Sequence, residues 1–180
     1  MLRFFYPDVY AESVFDVDYD GLKTNGIVNL LFDIDNTLAP VVSPDPDAGV
    51  IELFGKLTDA GFNICLLSNG GPGRAERFAE PLGVPFVAKA KKPAAAGLKK
   101  VLLILPADHT KTAIIGDQLF TDILCGKRNK IYSILVRQIS EDEQWYIKIK
   151  RVLETPVLAC FRKKRRMDDK KPRGADKRGG

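Results

Sequence analysis

The chain has 180 residues, 45% hydrophobic and 28% charged, a composition suited to one globular domain with a real core. Its longest apolar runs, such as VLLILP at 101–106, fall far short of the roughly 20 residues a bilayer span needs, which argues against an integral membrane protein. Three scattered cysteines (Cys65, Cys125, Cys160) without CxxC spacing, and a first segment without the basic-then-apolar pattern of a secretory signal, point to a reducing cytoplasm.

The net charge of +5 is unevenly spread. From Arg162 to Gly180, ten Lys or Arg stand against three Asp, so the residues before them are slightly acidic. The folded domain is therefore placed at 1–158. Residues 159–180 form a basic tail, expected to be disordered unless bound because it has almost no apolar residue to bury.

In chain order, five runs read as strands: GIVNLLFDID (26–35), FNICLLSN (62–69), VPFVAKA (84–90), KTAIIGD (111–117) and IYSILVRQI (131–139). They are continuously apolar rather than alternating, the mark of strands covered on both faces. Between them lie amphipathic segments that read as helices. DPDAGVIELFGKLTDAG (45–61) has Asp45 or Asp47 as its cap and Val50, Leu53, Phe54 and Leu57 at helical spacing. GRAERFAEPLG (73–83), PAAAGLKKVLLIL (93–105) and TDILCGKRNK (121–130) follow. Near the end, Trp145, Ile149, Val152, Leu153 and Val157 could share one helical face. Strand and helix in alternation imply an α/β fold, a mostly parallel, doubly wound sheet with right-handed crossovers.

Ligands of such sheets bind beyond the carboxyl ends of the strands, so the polar residues that end each run matter most. These are Asp33 and Asp35, then Ser68 and Asn69, then the lysines at 89, 91 and 92, then Asp117. Two acids, a hydroxyl, a lysine and another acid on one edge fit phosphoryl transfer through an aspartyl-phosphate. Asp33 would attack phosphorus. Asp35, two residues on, would give a proton to the leaving alkoxide and later take one from water. A phosphate ester and a carboxylate repel unless a cation lies between them. Mg²⁺ would take side-chain oxygens of Asp33 and Asp117 and the Asp35 carbonyl, with Asp122 in support. Asp122 reads equally well as the cap of the helix it begins. Ser68, Asn69 and nearby N–H groups would face phosphate oxygens. Arg128 would reach an anionic substrate or stabilise a helix end.

The stretches DIDNT (33–37), LLSN (66–69), KKP (91–93) and IGDQLFTD (115–122) resemble, in order, the four motifs of the haloacid dehalogenase (HAD) phosphatase superfamily. More narrowly, YPDVYAESVFDVDYDGLKTNGI before the first motif and GDQLFTDILCGKRNKIYSILV around the last resemble the YqeG-type class IIIA phosphatases, related to phosphatidylglycerophosphate phosphatases. The resemblance implies a Rossmann-like three-layer α/β/α fold, Mg²⁺, Asp33 as nucleophile, Asp35 as acid/base and Thr37 as support in the first motif. It also implies Ser68 as phosphate ligand, Lys92 as the lysine of the third motif and Asp117 as metal ligand. GGPG at 70–73 departs from the family, which usually has a further polar residue there and runs straight into helix.

No room exists for the cap insertions that choose substrates in this superfamily, so the fold should be essentially capless. An open site favours a phosphate on something large. The expected substrate is lipid-borne, with phosphatidylglycerophosphate as first choice, met at an anionic membrane surface through the basic tail. The alternatives are a phosphoprotein, a nucleic acid end, or a non-catalytic module that binds RNA or a ribosome.

Overall fold

The computed structural model describes residues 2–105, 108–140, 152–161 and 163. Six strands form one all-parallel sheet: β1 (Val9–Ala11), β2 (Asn29–Phe32), β3 (Asn63–Leu67), β4 (Phe86–Val87), β5 (Thr112–Gly116) and β6 (Tyr132–Val136). The order across the sheet is β1-β6-β5-β2-β3-β4, so β2 lies between β5 and β3. Leu31 sits in register with Cys65 on one side and Ile114 on the other.

Side chains alternate along each strand, and that alternation builds two core layers. Leu30 and Phe32 face α1 (Tyr19–Thr24), α2 (Ala48–Asp59) and α3 (Pro72–Ala79), where Leu22, Phe54 and Phe78 are buried. Leu31 faces the opposite way, onto α4 (Ala95–Ile104) and α5 (Leu124–Arg128), with Leu98, Val101 and Cys125. The result is the expected three-layer α/β/α sandwich. No inserted cap interrupts the β2–α2 or β4–α4 connection.

The ends of the elements differ from the sequence reading in informative ways. Only Phe86 and Val87 of the run at 84–90 pair as strand, because the chain leaves the sheet through left-handed backbone at Lys89 (φ 47°) and Lys91 (φ 57°). Asp47, not Asp45, caps α2 by accepting from Val50 N–H, while Asp45 pairs with Arg77. A π-helical turn (Leu119–Ile123) precedes α5, so the predicted helix at 121–130 is two pieces. Strand β1, not expected from the sequence, adds to β6 through the pair Val9–Ile134.

Residues 152–161 form a helix, α6, that runs across the expected domain boundary at 158. Its Val157 packs with Leu119, Ile123 and Leu135. Of the residues expected to share one apolar face, Val157 is buried while Val152 and Leu153 are exposed. Trp145, Ile149 and the tail from 164 onward lie outside the described residues.

Candidate active site

The carboxyl ends of β2, β3 and β5 and the turns beyond β4 deliver the polar groups. Asp33 follows β2 directly, and its N–H still donates to Ile115 O, which fixes the backbone at the sheet edge. Asp117 follows β5. Asp122 comes from the π-helical turn and folds back onto Gly116, where its carboxylate accepts from Gln118 N–H. A Cβ at Gly116 would lie 2.3 Å from Asp122 Cγ, so only glycine leaves room for that carboxylate. Oxygens of Asp33, Asp117 and Asp122 fall within 4.8 Å of one another, and all three residues are buried.

One cation answers them. Lys92 Nζ lies 2.6 Å from Asp33 Oδ1 and 2.7 Å from Asp122 Oδ1, the second contact an ion pair outside hydrogen-bond geometry. Of the three lysines in the cluster, Lys89 and Lys91 are exposed and Lys92 is buried. Thr37 Oγ1 donates to Asp117 Oδ1 at 3.0 Å, tying the first motif to the fourth.

Asp35 is turned elsewhere. Its carboxylate lies outside the buried trio and accepts from Arg74 Nε at 2.7 Å. Any part it has in holding metal falls to its carbonyl, the atom assigned from sequence. Ser68 is buried, and its Oγ accepts from Gly70 N–H at 2.9 Å. Asn69, expected to touch substrate, instead spends its amide on Lys92: Lys92 N–H donates to Oδ1 at 2.7 Å and Nδ2 donates to Lys92 O at 3.1 Å. Arg128 ends α5, exposed, in the helix's last turn, away from the turn that holds Asp122. That place suits a partner of the helix dipole better than a substrate contact.

A family model, haloacid dehalogenase-like hydrolase, matches residues 42–129. The chain is 30% identical to the Bacillus subtilis protein named "Probable phosphatase YqeG" over 162 residues, which is 90% of this chain and 94% of that one. The chain belongs to the haloacid dehalogenase-like hydrolases. Within that family it is a phosphatase. It is also 28% identical over 144 residues to the chloroplastic phosphatidylglycerophosphate phosphatase 1 of Chlamydomonas reinhardtii, spanning 74% of this chain and 53% of that protein. In fold it resembles the cobalt-bound deoxy-D-mannose-octulosonate 8-phosphate phosphatase of Haemophilus influenzae, with a TM-score of 0.51 at 15% identity, covering 77% of this chain and 91% of that one.

The electrostatics of this HAD site follow from burial. Desolvation pushes the Asp33 carboxyl well above its ordinary range; Lys92 opposes that, and the neighbouring Asp122 and Asp117 reinforce it. Burial alone would pull the Lys92 ammonium down, but Asp122 and Asp33 hold it above its ordinary value, so it stays charged. The Lys92 ammonium thus pairs with two of three clustered buried carboxylates. The cluster of carboxylate oxygens from Asp33, Asp117 and Asp122, all hard donors, fits a divalent cation such as Mg²⁺.

Two parts of this site were not anticipated from the sequence. Glu154 of α6, buried, accepts from Phe120 N–H at 3.1 Å and so ties the C-terminal helix to the turn that carries Asp122. Nothing local marks it. Arg74 carried a weak signal: it stands in the first turn of α3, where the helix dipole disfavours a cation, so a specific partner was to be expected.

Proposed function

We propose that this phosphatase is a Mg²⁺-dependent phosphomonoesterase that works through a phospho-Asp33 intermediate on a lipid-borne phosphate, with phosphatidylglycerophosphate as substrate and a place in phospholipid synthesis. The observation that carries the reading is the Lys92 ammonium held between Asp33 and Asp122 beside Asp117 at one strand edge.

In this reading Asp33, which follows β2, attacks phosphorus, and Lys92, paired with one of its oxygens, offsets charge that approaches with the phosphate. Ser68 Oγ, whose position the Gly70 N–H fixes by donating to it, offers its own O–H as a donor for phosphoryl oxygens. Asp35, only partly buried, is open to the leaving group and to water, as an acid/base must be. Mg²⁺, held by Asp33, Asp117, the Asp35 carbonyl and Asp122, would supply charge neutralisation between the two anions.

The lipid reading is supported by the capless opening and by the named relative in Chlamydomonas reinhardtii. Exposed Val42 and Ile139, in loops beyond β2 and β6, put apolar side chains on the strand-end side. The sequence then adds five consecutive basic residues, Arg162 to Arg166, for anionic headgroups. Among the described residues no helix is long and apolar enough to cross a membrane; the association proposed here is peripheral, at a cytoplasmic face. The test is a hydrolysis panel: phosphatidylglycerophosphate in mixed micelles, phosphopeptides and oligonucleotides with terminal phosphates, each with Mg²⁺ and with chelator. Preferred, Mg²⁺-dependent release of phosphate from the lipid is expected. Preference for a peptide or oligonucleotide would overturn the lipid assignment and leave the phosphatase.

A further inference from the structure

Arg74 commits all three of its side-chain nitrogens. Nε donates to Asp35 Oδ1 at 2.7 Å, one terminal nitrogen donates to the Ser43 carbonyl at 2.5 Å, and the other to the Pro40 carbonyl at 3.2 Å. With 23% of its side chain exposed, the guanidinium is largely out of water. One rigid fork therefore joins α3, the loop after the first motif and the Asp35 carboxylate. Such a fork only donates, and it keeps its protons at any working pH.

We propose that Arg74 is the positioning residue for Asp35: by occupying Oδ1 it confines the transferable proton to Oδ2, on the side of Ser68. The inference rests on Asp35 being the acid/base, as read above. A Cβ built on Gly70 would lie 3.5 Å from Asp35 Oδ2 and 3.1 Å from Ser68 Oγ, so the second carboxylate oxygen and the serine hydroxyl border one spot above Gly70. Bare glycine keeps that spot clear.

The proton accounting is then simple. In the first half-reaction an Asp33 oxygen bonds to phosphorus, the bond from phosphorus to the leaving oxygen breaks, and the proton on Asp35 Oδ2 passes to the departing alkoxide. In the second, water oxygen bonds to phosphorus, its proton goes to Oδ2, and the bond to Asp33 breaks to release inorganic phosphate. Because Oδ1 faces an N–H that cannot accept, both transfers use one oxygen. The carboxyl group need not rotate between them.

The leaving group separates this role from plain structural support. Phosphatidylglycerophosphate loses an alkoxide, which needs a proton; p-nitrophenyl phosphate loses a phenolate, which does not. Arg74→Ala is expected to lower kcat/KM, which reports the half-reaction that expels the leaving group, by at least about tenfold on the alkyl ester and by less than about threefold on the nitrophenyl ester. Arg74→Lys should recover part of the loss, and it carries the same comparison if Arg74→Ala does not fold. Asp35→Asn should show the same ester selectivity, and the double variant Asp35→Asn/Arg74→Ala should be no slower than Asp35→Asn alone. Equal losses on both esters in the Arg74 variants, or losses that multiply in the double variant, would overturn the positioning role. Absence of ester selectivity in Asp35→Asn would remove the acid/base reading beneath it, a distinct failure.

Discussion

The side chain of Asn69 closes two hydrogen bonds on the main chain of Lys92, at 2.7 and 3.1 Å, so the residue after the serine of the second motif sets the backbone of the lysine in the third. The ammonium at the other end of that lysine sits between Asp33 and Asp122. Asn69→Ala should therefore act through Lys92 and not through substrate contact: kcat falls about tenfold to a hundredfold while KM moves less than about threefold. Steady-state kinetics check this. A rise in KM with kcat intact would return Asn69 to the substrate-contact role first read from sequence.

Gly116→Ala should displace the Asp122 carboxylate, because a Cβ there would meet its atoms at 2.3 to 2.5 Å. The expected cost is about 1 to 3 kcal/mol of stability from overpacking, together with weaker Mg²⁺ activation. Thermal unfolding and a Mg²⁺ titration of activity measure the two effects. Unchanged metal dependence would show that Asp122 has no part in holding the ion.

Stability should respond to pH and metal together. The Asp33 carboxyl is raised by burial above its ordinary 3.8, so its contribution to stability is full below that value and is lost as pH rises through the raised folded value. In chelator, this group lowers Tm as pH increases. Mg²⁺ binds deprotonated carboxylates, so the Tm increment it gives should grow between about pH 5 and about pH 8. Equal increments at both ends of that range would contradict the assignment of the acid trio as the metal site.

Thiol chemistry offers a check on the packing. Burial pushes Cys65 up to about 12 and Cys125 up to about 11, and both side chains are buried, whereas Cys160 on α6 is exposed. A thiol reagent near pH 8 should label Cys160 alone in the native protein, and all three cysteines after unfolding. Rapid native labelling of Cys65 would mean that the layer between β3 and α4 opens far more readily than its packing implies.

Much of this was legible in the sequence because parallel strands covered on both faces must be apolar throughout, so the runs around Leu31, Leu66, Ile114 and Ile134 stood out. The candidate site was legible because three of these runs end in the polar residue they deliver to the strand edge: Asp33, Ser68, Asp117. What stayed hidden depends on contacts between distant positions. Strand β1 has three residues and no apolar run of its own, and it exists because β6 offers an edge. The orientation of Asp35 is set by Arg74, 39 residues away, and the setting of Lys92 by Asn69, 23 residues away. No local pattern carries either pairing. Asp122 read equally as a helix cap and as metal support, because its place in a π-helical turn, folded over Gly116, is a property of the turn's backbone.

The most direct test of the central claim is a rapid-quench experiment with radiolabelled phosphate on phosphatidylglycerophosphate, comparing wild type with Asp33→Asn in Mg²⁺. A hydroxylamine-sensitive label that appears during turnover, maps to the peptide containing Asp33 and is absent from the inactive Asp33→Asn variant is the predicted result. Turnover that persists in Asp33→Asn, or a label mapped to another residue, would contradict it.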